Sequence, residues 1–174
     1  MRRNEFERVA MPHAQSLLRA ALRVAPERDA AEDMVQETLL KAWNAFDQFE
    51  RGSNCKAWLF QILINIKRQH YRKNQSVPAA LPLDGNGQGK VVKLYVTPPQ
   101  FVAAEVLAAL DKLSVDHRLV LMLAVVEGFT CKEIARMYSL PIGTVMSRLS
   151  RARTELRSIL TQSNGKTRLA ARAG

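Results

Sequence analysis

Apolar residues along this chain recur mainly at intervals of three and four, the spacing of one face of an α-helix. Phe6, Val9, Leu17, Ala20, Ala21 and Val24 predict a first helical segment over about residues 4–24, which Pro12 should kink or break. Asp29-Ala-Ala-Glu32 reads as an N-cap with a glutamate three residues on, opening a helix whose inner face is Val35, Leu39, Ala42 and Phe46. Asp33, Glu37, Leu40 and Asn44, with Gln36 and Lys41 beside them, fall on another, mostly polar face. Gly52, Ser53 and Asn54 then mark a loop that ends in a helix N-cap. The next helix is apolar nearly all round, from Trp58 through Ile66, and so should be central and buried. At Lys67 it turns basic: Lys67, Arg68, His70, Arg72 and Lys73, with Tyr71 among them.

Residues 76–100 break the pattern with four prolines and three glycines, the composition of a linker. So long a stretch without periodicity is uncommon inside a compact domain, and it predicts two domains that move independently. Helical spacing resumes at about residue 102. Ser114 should break and recap that segment, and Gly128 should end it. Thr130 and Glu133 make a second capping box, opening a short helix through Tyr138. After Ser139-Leu140, Pro141 suits a first helical turn, and Val145, Leu149, Ala152, Leu156 and Ile159 follow at four, three, four and three.

These elements predict an all-α fold of two small helical domains, residues 1–75 and 103–162, joined by a linker at 76–102 and followed by a disordered basic tail at 163–174. Strand-type alternation is nearly absent. The net charge of +10 favours a polyanionic partner such as nucleic acid. Residues 1–75 carry 13 basic and 9 acidic side chains, and residues 111–174 carry 11 and 5, so the excess sits in two blocks. The two cysteines, Cys55 and Cys131, are far apart in the chain and suggest neither a disulfide framework nor a zinc site. No apolar run approaches the ~18 residues of a membrane span, and no signal-peptide pattern opens the chain, so a cytoplasmic protein is expected. Carboxylate clusters with catalytic or metal-ligand spacing are not found, which argues against an enzyme and implies no metal and no cofactor.

Two places carry candidate chemistry. Residues 130–156 have the build of a helix-turn-helix, a short helix, a tight turn and a second helix. With Val145, Leu149 and Ala152 packed inward, Thr144, Ser147, Arg148 and Arg151 are expected on the outer face, where side chains of such a motif enter a major groove. A plain three-helix bundle with solvated arginines would share this periodicity. The second place is the Gly52–Asn54 loop with the buried helix and its basic end. Cations at a helix C-terminus also satisfy its dipole, but Trp58, Phe60 and Tyr71 in the same segment suit unstacked bases and a single-stranded backbone.

At this point the segments AEDMVQETLLKAW (31–43), FERGSNCKAWLFQILINIKRQHYRK (49–73) and EGFTCKEIARMYSLPIGTVMSRLSRARTEL (127–156) resemble, in order, three blocks of the extracytoplasmic-function (ECF) bacterial sigma factors of the sigma-70 superfamily. The likeness covers about residues 5–75 and 103–160. GSNCKAWLF is also similar to the branch that serves the alphaproteobacterial general stress response. The chain departs from the common pattern at Met146, where a basic residue is frequent, and at Ser139, where glycine is.

The resemblance implies a division of labour. Asp33, Gln36, Glu37 and Asn44 would dock on the clamp helices of the largest subunit of core RNA polymerase, with the C-terminal domain on its flap. Ser53, Asn54 and Lys56 would lie in or beside a loop that captures a flipped base of the melted −10 element, with Arg68, Tyr71 and Arg72 along its backbone. Thr144, Ser147, Arg148 and Arg151 would read the −35 element. The partners implied are core polymerase, promoter DNA and an inhibitory anti-sigma factor. The alternative is a stand-alone helix-turn-helix regulator of duplex DNA, which has no use for the N-terminal blocks.

Overall fold

The computed structural model describes residues 2–25, 27–74 and 103–170, and side chains throughout these except at 71, 73, 74, 103 and 163–170. The expected linker, 76–102, therefore lies outside the described residues, which are helical without a strand among them. None of these helices is long and apolar enough to cross a membrane.

In the N-terminal domain, α1 (Arg2–Ala10) and α2 (Ala14–Ala21) are separated by a 3-10 turn over Met11–His13. Pro12 sits in that turn because it lacks an N–H to donate and its ring would strike the carbonyl four residues back. α3 (Arg28–Asn44) starts two residues earlier than expected. Its N-cap is the extended Glu27, with no side-chain cap, and Asp29 lies in the first turn, where its charge complements the helix dipole. Glu32 pairs with Arg28 at 2.7 Å and does not close a capping box.

α4 (Cys55–Asn74) is the centre of the molecule. Asn54 caps it as expected, its Oδ1 accepting from the Ala57 N–H at 3.1 Å. Leu59, Phe60, Leu63, Ile64 and Ile66 are buried. Each contributes about 1.5–3 kcal/mol relative to an exposed position. Ala20, Ala21, Ala31 and Ala42, all fully buried, let α2 and α3 approach closely. Trp58 is half-buried and lies 4.9 Å from Phe49, ring to ring, so it belongs to the packing under the 50–54 loop.

The C-terminal domain is α5 (Ala103–Asp111), α6 (Val115–Leu121), α7 (Cys131–Tyr138) and α8 (Ile142–Ala170). Ser114 breaks α5 from α6 and accepts from the His117 N–H. A π-helical turn over Met122–Val126 extends α6, with the Glu127 N–H reaching the Met122 carbonyl. That wide turn leaves Val125 and Val126 exposed and buries Glu127; Gly128 then ends the helix at φ +75°. The Thr130–Glu133 capping box forms in both directions. α8 runs to Ala170, past the limit of 162 expected for the domain. Extending an existing helix adds a hydrogen bond per residue without a new nucleus, and no proline intervenes.

The two domains do not stand apart. α4 packs on α7, and the Phe60 and Phe129 rings meet edge to face at 5.2 Å. Local periodicity carries no signal for this contact, which joins residues some 70 positions apart in the chain.

Candidate nucleic-acid interface

α3 presents the four residues assigned to docking along one side. Asp33, Gln36 and Asn44 are exposed and Glu37 is half-buried. In the middle of them stands Leu40, 60% exposed. Glu37 is tied to α3 and α4 alike. Lys41 Nζ lies 2.9 Å from one carboxylate oxygen and His70 Nε2 lies 3.0 Å from the other. The hydrogen bond from Lys41 first, and then His70, hold the Glu37 carboxyl below the usual range against the opposing effect of burial. Lys41 also donates to Gln69, so the polar face of α3 is braced against the basic end of α4.

The candidate −10 residues come together along α4 and the loop before it. Ser53 and Asn54 are exposed at its start and Arg72 is exposed near its end. The side chain of Tyr71 lies outside the described residues. Lys56 and Arg68, which the resemblance sets against the −10 strand, are half-buried, because the C-terminal domain lies over them. Arg68 donates to the Tyr138 carbonyl at 2.7 Å, with its guanidinium 5.3 Å from the Tyr138 ring centroid. Lys56 donates to the Glu127 carbonyl at 3.0 Å. Asn54, beyond its capping bond, donates to Glu133 at 3.2 Å. Lys67, a cation not singled out among the candidate contacts, is bound to Asp116.

The expected helix-turn-helix is α7, the turn 139–141 and α8. Ser139 takes the left-handed conformation at φ 49° and ψ 46°, the position where glycine is frequent in the resembling family. Thr144, Ser147, Arg148 and Arg151 are all half-buried, against the expectation of an exposed face. Arg148 departs furthest. One of its terminal nitrogens is buried without a hydrogen-bond partner, and its charge acts on the buried Tyr138 hydroxyl. Helix geometry supplies the reason. At 3.6 residues per turn, Arg148 lies only roughly 65° from the mean direction of Val145, Leu149 and Ala152. Ser147, nearly opposite that direction, returns its hydroxyl to the Thr144 carbonyl at 3.0 Å. Burial pushes the Tyr138 hydroxyl far up from its ordinary pKa, aided by the Asp116 charge, so it stays neutral.

The chain matches the family descriptions Sigma-70 region 2 over residues 9–77 and Sigma-70, region 4 over residues 103–156. It is 38% identical to the ECF RNA polymerase sigma factor EcfG of Rhodopseudomonas palustris over 149 residues, 83% of this chain and 79% of the relative. The chain belongs to the ECF sigma factors. Among solved structures, this sigma factor is similar to RpoE from Bartonella quintana, in a complex with the anti-sigma factor NepR. That match has 32% identity and a TM-score of 0.68, over 90% of this chain and 97% of the other. It is also similar to CnrH in complex with the cytosolic domain of CnrY, at 28% identity and a TM-score of 0.65, over 92% and 90% of the two chains. Its function is therefore that of a sigma factor, directing RNA polymerase to promoters. The region 2 match gives residues 9–77 a role that a stand-alone regulator lacks.

Two residues of the sigma factor left without a contact by their sequence pattern are Lys67, part of the basic end of α4, and Glu127. Glu127 follows an apolar helical run and precedes Gly128, which marks a helix end and gives no sign that its carboxylate is buried. Only the three-dimensional meeting of a basic N-terminal block with the acids of the C-terminal domain reveals both.

Proposed function

We propose that this ECF sigma factor docks on core polymerase through Asp33, Gln36, Glu37 and Asn44, captures melted −10 DNA through Ser53, Asn54, Lys56, Arg68, Tyr71 and Arg72, and reads the −35 element through Thr144, Ser147, Arg148 and Arg151. The observation that carries the reading is Leu40. A large apolar side chain left 60% exposed amid polar neighbours on α3 has the make-up of a docking face, with an apolar centre and a polar rim. The acids around it suit a basic partner helix, as the clamp helices of the largest subunit would be.

On the DNA side, holding a flipped base favours strand opening, because unstacking costs a few kcal/mol that the pocket must return. No covalent step is required, and the protein acts in the cytoplasm by binding alone. Because RpoE and CnrH are found with NepR and CnrY, an anti-sigma factor is proposed as the regulator here too, within the stress-response branch that GSNCKAWLF resembles.

A pull-down with purified core polymerase, followed by transcription from a library of promoter fragments, tests this reading. Stoichiometric binding with promoter-specific transcripts is expected. Duplex DNA binding without polymerase association would overturn it.

A further inference from the structure

The candidate base readers of α8, Thr144, Ser147, Arg148 and Arg151, are all half-buried, whereas the chain just ahead of them is open. Pro141, Ile142 and Gly143 are exposed there, Ile142 at 49%. A lone exposed isoleucine is ordinary on a protein surface. Position sets this one apart. Ile142 is the first residue of α8. In an α-helix each Cα–Cβ bond tilts towards the N-terminus, so the side chain of the first residue leads the helix. A helix-turn-helix enters the major groove with the N-terminal residues of its second helix against the base edges. Among the groups presented there, the one an aliphatic side chain recognises is the C5 methyl of thymine.

Gly143 is a second, independent observation. It lies roughly 150° round the helix from the mean direction of Val145, Leu149 and Ala152, facing away from the core. Its φ is not positive. Apart from its chain neighbours and the backbone of its own helix, nothing lies within 4 Å of where a Cβ would stand. The fold therefore has room for alanine at this position. Alanine would also stabilise it, by leaving the unfolded chain less freedom to lose. Glycine kept where the fold itself does not need it suits a surface that another molecule approaches closely.

We propose that Ile142 is a specificity-determining residue of the −35 contact, its side chain packing on the C5 methyl of a thymine. The missing Cβ at Gly143 lets α8 come close enough to the duplex for that packing. The inference deepens the reading of α8 as the −35 helix and rests on it. It gives the sigma factor discrimination at one A·T pair without a hydrogen bond.

The test uses the full-length protein on core polymerase and a promoter fragment recovered from the library. Each thymine of the −35 element, on either strand, is replaced in turn by deoxyuridine, which removes the methyl and keeps every base-pairing group. Wild type is expected to lose about fourfold in affinity at one thymine, the fold-change of one buried methyl-sized group. Ile142→Ala should be indifferent to that replacement. No sensitive thymine in wild type, or an equal loss in Ile142→Ala, overturns the proposal. Gly143→Ala should raise the thermal midpoint and yet weaken binding to the unmodified fragment. A lower midpoint, or unchanged binding, overturns the part assigned to Gly143. Arg148→Ala and Arg151→Ala separate this failure from that of the −35 reading. If they relax discrimination among −35 sequences while no thymine is sensitive, only the Ile142 contact is rejected. If discrimination is unchanged in them too, α8 is not the −35 reader.

Discussion

The Lys56 ammonium lies 2.8 Å from one carboxylate oxygen of Glu127, out of line for a hydrogen bond, while its aligned bond goes to the carbonyl of the same residue at 3.0 Å. The Glu127 side chain is 1% exposed, Arg19 reaches its other oxygen at 3.4 Å, and the Phe129 ring lies 5.2 Å from the ammonium. This is a desolvated carboxylate held by one close cation, which itself rests on an aromatic face, and by one distant cation.

Removing the cation alone should therefore be costly. Lys56→Met leaves the Glu127 carboxylate buried with Arg19 as its remaining partner, and a loss of about 3 kcal/mol in unfolding free energy is expected, the low end for a broken buried pair because Arg19 stays. Lys56→Met/Glu127→Leu removes the stranded charge as well and should recover most of that loss. Urea unfolding of the two single variants and the double variant closes the cycle. By contrast, a cycle on Arg51 and Glu5, where the arginine is 80% exposed, should give much weaker coupling. Equal coupling in the two cycles would show that burial at Glu127 has no energetic weight.

The second prediction concerns the turn of the helix-turn-helix. Ser139 pays the steric cost of a left-handed backbone, φ 49°, for a residue with a Cβ. Ser139→Gly relieves that strain but gives the unfolded chain more freedom to lose. The net effect expected is a gain of about 0.5–1 kcal/mol, read as a rise in the thermal midpoint without change in helical content. Ser139→Val should do the opposite, because a β-branched side chain tolerates positive φ least. A midpoint unchanged by both substitutions would mean the turn is not held in this conformation in solution.

What the sequence made legible follows from how local each signal is. The Thr130–Glu133 box, the break at Ser114, the stop at Gly128 and the cap at Asn54 each depend on residues within one turn, and each stands where the pattern placed it. Asp29 misled because an acid is equally at home in the first turn of a helix that begins two residues earlier, capped by the extended Glu27. The exposed face of α3 was readable from the 3.6-residue period. That period also leaves Arg148 close to the inward stripe, but the half-burial of Lys56 and Arg68 was not readable, since it depends on what the other domain places beside them. Independent domains were inferred from linker composition, which is silent on whether Phe60 and Phe129 meet.

The capping box carries a third prediction, about acid. The Thr130 backbone N–H, and then its hydroxyl, hold the Glu133 carboxyl below its ordinary value of 4.5. A carboxylate whose pKa is depressed on folding stabilises the folded state fully above its unfolded value. That contribution is lost as pH falls through the lower folded pKa. Thr130→Ala removes the hydroxyl from both directions of the box and should cost about 1 kcal/mol near neutral pH. It should also bring the Glu133 pKa back towards its unfolded value, so less stability remains to be lost below 4.5. Unfolding midpoints across an acid series measure this. Parallel curves for wild type and variant would mean that Glu133 is not coupled to the Thr130 hydroxyl.

The last prediction separates docking from reading. Asp33 and Gln36 lie exposed on α3, while Arg148 and Arg151 lie on α8 in the other domain. Asp33→Ala and Gln36→Ala should weaken association with core polymerase and leave duplex binding by the C-terminal domain intact. Arg148→Ala and Arg151→Ala should do the reverse, each costing about 1–3 kcal/mol at a −35 site if it bonds a base edge. Arg148 carries a further signature. One buried terminal nitrogen has no hydrogen-bond partner to lose, so the loss should be larger on the DNA complex than in the unfolding midpoint, which reads only the packing of the stem. Salt then distinguishes its mode of contact. A phosphate contact lowers the salt slope of binding by about 1 when removed and weakens all sequences alike, whereas a base contact relaxes discrimination at one position. If both pairs of variants reduced polymerase association equally, the two surfaces would not have separate roles.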